Sequence, residues 1–199
     1  MLASAIIPAA GSGKRFGEKK QLKKLSGRPL IHYTLIPFLE SSAINNIIIA
    51  AQKKDFDKIA STVDSIEAGK TVSIIEGGDT RQNSIYNALT QINSNTEYVC
   101  IHDAARPFVT KHLIEKLIDT LKKCDAVIVG NKSTDTLKEY SDGNVLRTID
   151  RKKIWKVQTP QAFTKEVIVN AYELAKKQNI VATDAVSYTH PTLPTILLV

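Results

Sequence analysis

The sequence predicts an α/β protein built on an open, mostly parallel sheet with helices on its flanks. Three observations carry that expectation. Short apolar runs rich in β-branched residues recur along the chain, among them Ile47-Ile48-Ile49 and Val127-Ile128-Val129. A strand that is apolar at every position has both faces buried, as the strands of a parallel sheet do. Stretches of helical spacing lie between these runs, and strand alternating with helix is the pattern of right-handed crossovers on one sheet. Ligands of such sheets bind beyond the carboxyl ends of the strands, so the loops there are where chemistry is expected.

Strands are predicted at 3–8, 46–51, 71–75, 98–102 and 126–130, with helices at 31–39, 56–66, 81–92 and 111–123. In the last of these helices, Leu113, Ile114, Leu117, Ile118 and Leu121 form one apolar stripe with lysines opposite. The stretch 131–158 breaks the rhythm. Short β-like pieces at 136–139, 145–149 and 153–157 surround Ser141-Asp142-Gly143-Asn144, a turn signal, and read as a β-hairpin excursion. A helix over 164–178 follows. With no repeat and no low-complexity linker, residues 1–199 read as one domain carrying an arm at about 132–157.

Composition narrows the class of function. The chain has 199 residues, 43% hydrophobic and 24% charged, which suits one globular domain with a real core. Two cysteines, Cys100 and Cys124, exclude a disulfide framework and a four-thiolate zinc site. Both read as reduced core thiols of a cytoplasmic protein. No apolar run approaches the roughly 20 residues of a membrane helix, and the N-terminus lacks the charged-then-apolar profile of a signal peptide. The net charge of +7 points to an anionic partner. Nucleic acid, a membrane surface and phosphorylated metabolites satisfy it equally.

The loop after the first strand is more specific. Pro8-Ala9-Ala10-Gly11-Ser12-Gly13-Lys14-Arg15-Phe16-Gly17 combines three glycines with two cations. Glycines let a backbone turn tightly and bring its N–H groups to an anion. A P-loop is excluded, because Pro8 stands where its first glycine belongs and Arg15 where Ser or Thr belongs. The dinucleotide fingerprint fails as well, since the third glycine, Gly17, arrives one residue late. A phosphate site and a solvated basic surface loop both remain open on this segment alone.

Four segments together carry a resemblance. Ala9 to Arg15 with Lys20-Gln21 resembles the nucleotide loop of sugar-phosphate nucleotidyltransferases. With it come Gly77-Gly78-Asp79-Thr80-Arg81-Gln82-Asn83-Ser84, His102-Asp103-Ala104-Ala105-Arg106-Pro107, and Arg147 to Arg151 followed by Trp155 to Gln161. The chain is most similar to the 2-C-methyl-D-erythritol 4-phosphate cytidylyltransferases, over residues 3 to 184. The resemblance implies a Rossmann-like fold and transfer of CMP from CTP to a sugar-alcohol phosphate. It also implies Mg²⁺ or another divalent cation, and a homodimer formed through the hairpin arm. Lys19 departs from the family, which has proline there, and is expected to loosen the loop.

By that resemblance, Arg15 and Lys20 hold the triphosphate and stabilise its transition state, and Asp103 carries the metal. Without the family, Lys20 beside Lys19 and Lys23 reads as a surface charge, and Asp103 as a turn or helix cap. The resemblance gives nucleotide contacts to Ala9, Ala10, Gly11, Gly13, Gly78, Asp79, Ser84 and Ala104. Asp79 also reads as a helix-capping pair with Gln82. Arg106, Thr136, Arg151 and Thr159 fall to the acceptor, with Arg151 reaching a neighbouring subunit. A guanidinium suits a phosphomonoester, whereas Arg151-Lys152-Lys153 by itself reads as a solvated basic run. Apolar Ile149, Ile154 and Trp155 on an arm need burial, which a twofold partner supplies. His102 invites a general-base role, but the acceptor phosphate is already an anion and His102 belongs to a strand.

After Asp184 the resemblance is expected to stop. Residues 185–199 contain no Asp, Glu, Lys or Arg, and read as a truncated or frame-shifted end or as read-through of foreign sequence. The family's last strand, last helix and second substrate-binding lysine have no counterpart in that reading, which implies weak turnover. Pentitol-phosphate cytidylyltransferases share the loop and CTP and are the nearest rival. A fragment that only dimerises and a nucleic-acid module are further rivals; the latter is disfavoured by scattered lysines and only 6% aromatic residues.

Overall fold

Within β4 (Asn46–Ala51), Ile47 and Ile49 pack into one hydrophobic cluster and Ile48 into another. The same alternation divides Ala5 and Ile7 from Ile6 in β1 (Ala3–Pro8), and Cys100 from Val99 and Ile101 in β6 (Tyr98–Ile101). Side chains of a strand point alternately to opposite faces, so these unbroken apolar runs bury both faces of one sheet. α1 (Leu30–Glu40), α2 (Phe56–Asp64) and α4 (Lys111–Thr120) cover one face through Leu35, Phe38, Ile59, Ile114 and Leu117. α3 (Arg81–Leu89) and α5 (Lys165–Lys177) cover the other through Ile85, Ile168 and Tyr172.

The computed structural model describes residues 2–13, 17–66, 69–178, 185 and 196–198. Besides the elements above, it contains β2 (Lys24–Leu25) and β3 (Arg28–Pro29), a small hairpin, and β5 (Thr71–Glu76). β7 (Ala126–Lys132), β8 (Leu137–Ser141), β9 (Asn144–Ile149), β10 (Trp155–Thr164) and β11 (Ile196–Leu198) complete the strands. The main sheet has seven strands in the order β11-β7-β10-β6-β1-β4-β5. β1, β4, β5 and β6 are mutually parallel, and β10 alone runs against its neighbours β6 and β7. From β1 the chain winds outward through β4 and β5, then crosses back to place β6 on the other side of β1. The crevice at that reversal, between the ends of β1 and β6, is where an open sheet takes its ligand.

Several expectations are corrected. Helices α2, α3 and α4 stop short of 66, 92 and 123. Cys124 therefore lies beyond α4, half-buried, whereas Cys100 is fully buried and its thiol is pushed up to about 12 by that burial. Residues 153–157 are not a third piece of the arm. Trp155 opens β10 and pairs with Lys132 of β7, with the Lys132 ammonium 5.5 Å from its ring. Trp155 thus belongs to the sheet because its backbone has β7 to pair with. Within the stretch read as a tail, 196–198 add a parallel edge strand, with Ile196 opposite Val127.

The hairpin itself forms as expected. Asp142 and Gly143 have φ of 51° and 85°, the two positive values of the tight turn that Asp-Gly favours. β8 and β9 form a separate two-stranded sheet.

Candidate active site

Three loops leave the sheet at the crevice. The first follows β1. Ala9 N–H still donates to Ala50 O at 2.7 Å, after which two glutamines take over. Buried Gln21 donates from Nε2 to Ala9 O (2.6 Å) and Gly11 O (3.0 Å), and Gln52 Nε2 donates to Ala10 O (2.8 Å). Because the carbonyls are held from behind, the loop is fixed without using the N–H groups of Gly11 and Ser12 on any described backbone acceptor. Gly13, at φ +72°, closes the turn by accepting from Gly17 N–H at 3.0 Å. Lys19 then ties the loop to the start of α2: its ammonium pairs with buried Asp55 and donates to Gln52 Oε1 at 2.8 Å. The expected loosening at Lys19 is therefore reversed, because the lysine found a carboxylate that proline could not use.

The second loop runs from β5 to α3. Its helix cap is Thr80, whose hydroxyl accepts from Asn83 N–H at 3.0 Å. The capping reading of Asp79 is corrected: α3 starts one residue too late for it, and Asp79 is exposed on the loop. Ser84 is buried, and its hydroxyl accepts from Gly78 N–H (3.1 Å) and lies within reach of the Gly78 (3.2 Å) and Thr80 (2.9 Å) carbonyls. This hydroxyl fixes the shape of the loop.

The third loop follows β6. Asp103 N–H reaches Thr159 Oγ1 at 3.4 Å. Its carboxylate is shared between two cations, Arg81 Nε at 3.0 Å from Oδ1 and Arg106 Nε at 3.1 Å from Oδ2. Arg106 also bonds the Gln158 side chain. Thr34 Oγ1 donates to Ala104 O at 3.0 Å, anchoring the turn to α1.

The three loops line one cleft of about 850 Å³. Lys20, Lys53, Arg81 and Arg106 bring cations to it, and Glu76, Asp79 and Asp103 bring carboxylates. A glycine loop whose Gly11 and Ser12 N–H groups meet no described backbone acceptor, beside these cations, has the chemistry that suits a polyphosphate.

The family model for 2-C-methyl-D-erythritol 4-phosphate cytidylyltransferase matches residues 3–192. The enzyme of that name from Clostridioides difficile is 40% identical over 183 residues, covering 91% of this chain and 77% of that protein. The one from Microcystis aeruginosa is 40% identical over 182 residues, covering 90% of this chain and 80% of that protein. Among solved structures, the 4-diphosphocytidyl-2C-methyl-D-erythritol synthase of Anaerococcus prevotii superposes with a TM-score of 0.89 at 30% identity, covering 99% of this chain and 88% of that one. The chain belongs to the 2-C-methyl-D-erythritol 4-phosphate cytidylyltransferase family. The match continues past Asp184, where the sequence reading ended it; Ala185 is fully buried there, with its N–H 3.3 Å from Gln161 Oε1.

In this cytidylyltransferase fold, Ala9, Ala10, Gly11, Gly13, Lys20, Gly78, Asp79, Ser84, Asp103, Ala104 and Arg106 all line the one cleft. Thr159 stands behind Asp103. Arg15 lies outside the described residues. Thr136 and Arg151 are exposed at the arm and do not line the cleft, and Arg151 Nη1 donates to Thr134 O at 2.8 Å. Sequence reasoning gave no role to Gln21, Gln52 or Arg81. Arg81 carried a signal, a cation at the start of a helix with no acidic residue in its first turn; Gln52 carried none beyond its place after an apolar run.

His102 is buried, and Nε2 lies 2.9 Å from Arg106 O. Desolvation pushes its pKa down to about 4, against the opposing pull of that carbonyl and of Asp103. A neutral ring donates from Nε2 to the carbonyl, so His102 braces the Asp103–Arg106 turn and does not serve as a base. In the unfolded chain the same imidazole takes a proton near 6.5. The folded pKa is the lower one, so stability is whole above about 6.5 and declines as pH falls toward 4, by about 3 kcal/mol in total. Denaturant titrations from pH 7 to 4 should show His102→Gln, which keeps a donor, flattening that decline. An unchanged slope would remove His102 as its source.

Proposed function

We infer that this chain transfers CMP from CTP to 2-C-methyl-D-erythritol 4-phosphate. An oxygen of the acceptor phosphate attacks the α-phosphorus, the bond to the β-phosphate oxygen breaks, and pyrophosphate leaves with its electron pair. Donor and acceptor are both anions, so holding them in line and absorbing the developing charge is most of the catalytic task. The observation that carries the reading is the cationic cleft at the sheet's reversal, with the glycine loop and Asp103 in its walls.

In this reading the amides after β1 and the cations Arg15 and Lys20 take the triphosphate. Gly78 and Asp79 meet the pyrimidine, on a loop shaped by Ser84. Arg106, steadied by Gln158, faces the acceptor side with Thr159. The donor set also suits a divalent cation. Among the described residues no three His, Cys, Asp or Glu side chains gather into a cage; magnesium commonly takes one or two carboxylates and completes its shell from phosphate oxygens. Asp103 is the carboxylate we assign to it. Such an ion neutralises phosphoryl oxygens as charge builds up.

The assembly we propose is a homodimer through the arm. Tyr140, Val145 and Leu146 are 67%, 62% and 60% exposed on a hairpin of only two strands. An isolated pair of strands is marginal in water, and a twofold partner gives these side chains cover. Arg151 and Thr136, at the foot of the arm, would then serve the partner's cleft. Val145→Asp with Leu146→Asp should convert a dimer to a monomer in sedimentation equilibrium; a monomeric parent would refute the assembly. Among the described residues no helix is long and apolar enough to cross a membrane. Reduced Cys100 and Cys124 support a cytoplasmic setting.

The deciding experiment is pyrophosphate release from CTP, Mg²⁺ and 2-C-methyl-D-erythritol 4-phosphate. ATP as donor and ribitol 5-phosphate as acceptor should each release far less. Equal release with ribitol 5-phosphate would overturn the acceptor, and none with either acceptor the activity.

A further inference from the structure

Arg81 stands against the field of its own helix. It is the first residue of α3, where the helix dipole is positive and no acidic residue offsets it. Among the described residues, its side chain donates to Asp103 Oδ1 at 3.0 Å. Arg106 pairs with the other oxygen of the same carboxylate, so each oxygen that a metal would use already accepts from a guanidinium group. The carboxylate is only 29% exposed, which limits approach from other directions. Two cations and one carboxylate leave a net positive charge, which repels a bare divalent cation and attracts a polyphosphate.

The two arginines differ in how firmly they are held. Arg106 is fixed further by the Gln158 side chain and, through its carbonyl, by His102. Arg81 has the Asp103 bond at its tip and a helix end that disfavours it at its base.

We propose that Arg81 is a positioning residue that keeps Asp103 closed to metal until nucleotide is present. Its guanidinium leaves Oδ1 when the triphosphate supplies a competing anion, and the cation takes the vacated oxygen. Metal therefore arrives with CTP and not ahead of it. The inference rests on the assignment of Asp103 as the protein's carboxylate for the metal.

The test uses Mn²⁺ as the probe, with free Mn²⁺ read by electron paramagnetic resonance and no acceptor present. Without nucleotide, Arg81→Gln should bind Mn²⁺ about fivefold more tightly than the parent, the size expected for losing one partly exposed ion pair. Arg81→Met, which removes the charge but keeps the bulk, should do the same. Arg81→Lys, which keeps the charge, should stay near the parent. With saturating CTP the gap between parent and Arg81→Gln should close. Equal Mn²⁺ affinities of parent, Arg81→Gln and Arg81→Met without CTP would overturn the inference, as would a gain that persists when Asp103→Asn is added. The underlying assignment fails separately: parent and Asp103→Asn would then bind Mn²⁺ equally well in the presence of CTP.

Discussion

Asp103→Asn should lower the rate of pyrophosphate release by about a hundred- to a thousandfold at saturating CTP and Mg²⁺, the loss typical of removing one fixed electrostatic group from a transition state. The fold should hardly respond. The two pairs that Asp103 makes with Arg81 and Arg106 involve side chains that are 29% to 45% exposed, and ion pairs so placed contribute about 1 kcal/mol or less each. The amide keeps an oxygen for one arginine and places an NH₂ against the other. Thermal melting within a few degrees of the parent, together with the large rate loss, is the expected pair of results. A variant within tenfold of the parent rate would remove Asp103 from the chemistry.

Gly78→Ala should weaken CTP binding by about a hundredfold and lower stability by about 2–3 kcal/mol, the upper range for forcing an extra methyl group into packed structure. A Cβ at Gly78 would stand 2.3 Å from Asn83 Cβ, 3.1 Å from Asn83 C and 3.2 Å from its Cα. Those atoms belong to α3 and cannot swing aside, so the loop must move instead. The movement would break the contacts of both Gly78 backbone groups with Ser84. Gly11 supplies the contrast, since a Cβ there meets nothing within 4 Å. Gly11→Ala should therefore melt with the parent, and isothermal titration with CTP then separates a crowded fold from a crowded ligand. Gly78→Ala binding CTP as tightly as the parent would show that this loop is not part of the nucleotide site.

Much of this was readable in advance, for a physical reason. The strands at 3–8 and 46–51 match β1 and β4 because both faces of the sheet are covered, which leaves Ala5-Ile6-Ile7 and Ile47 to Ala51 as unbroken apolar runs with only Ser4 and Asn46 polar near their starts. The Asp142-Gly143 turn was legible because few residue pairs tolerate two positive φ values. β10 was not legible. Its ten residues, WKVQTPQAFT, mix polar and apolar positions and shift register between Gln158 and Gln161, so no period of two survives. The site divides in the same way. Glycines and Asp103 announce themselves by type and by their place after strands. Gln21 and Gln52 act through carbonyls far along the chain, and such partnerships exist only once the chain has folded.

The placement of β10 bears on how this protein tolerates change. Lys132 and Trp155 are cross-strand neighbours, so the chain leaves the sheet at one edge of a ladder rung and returns at the other. Everything between them is an insert into a junction that a short turn could close, and loop-closure entropy rises only with the logarithm of loop length. The hairpin strands between Thr136 and Arg151 can therefore lengthen, shorten or change sequence at little expense to the sheet, while the foot of the arm, with Thr136 and Arg151, is the part held to its length and sequence.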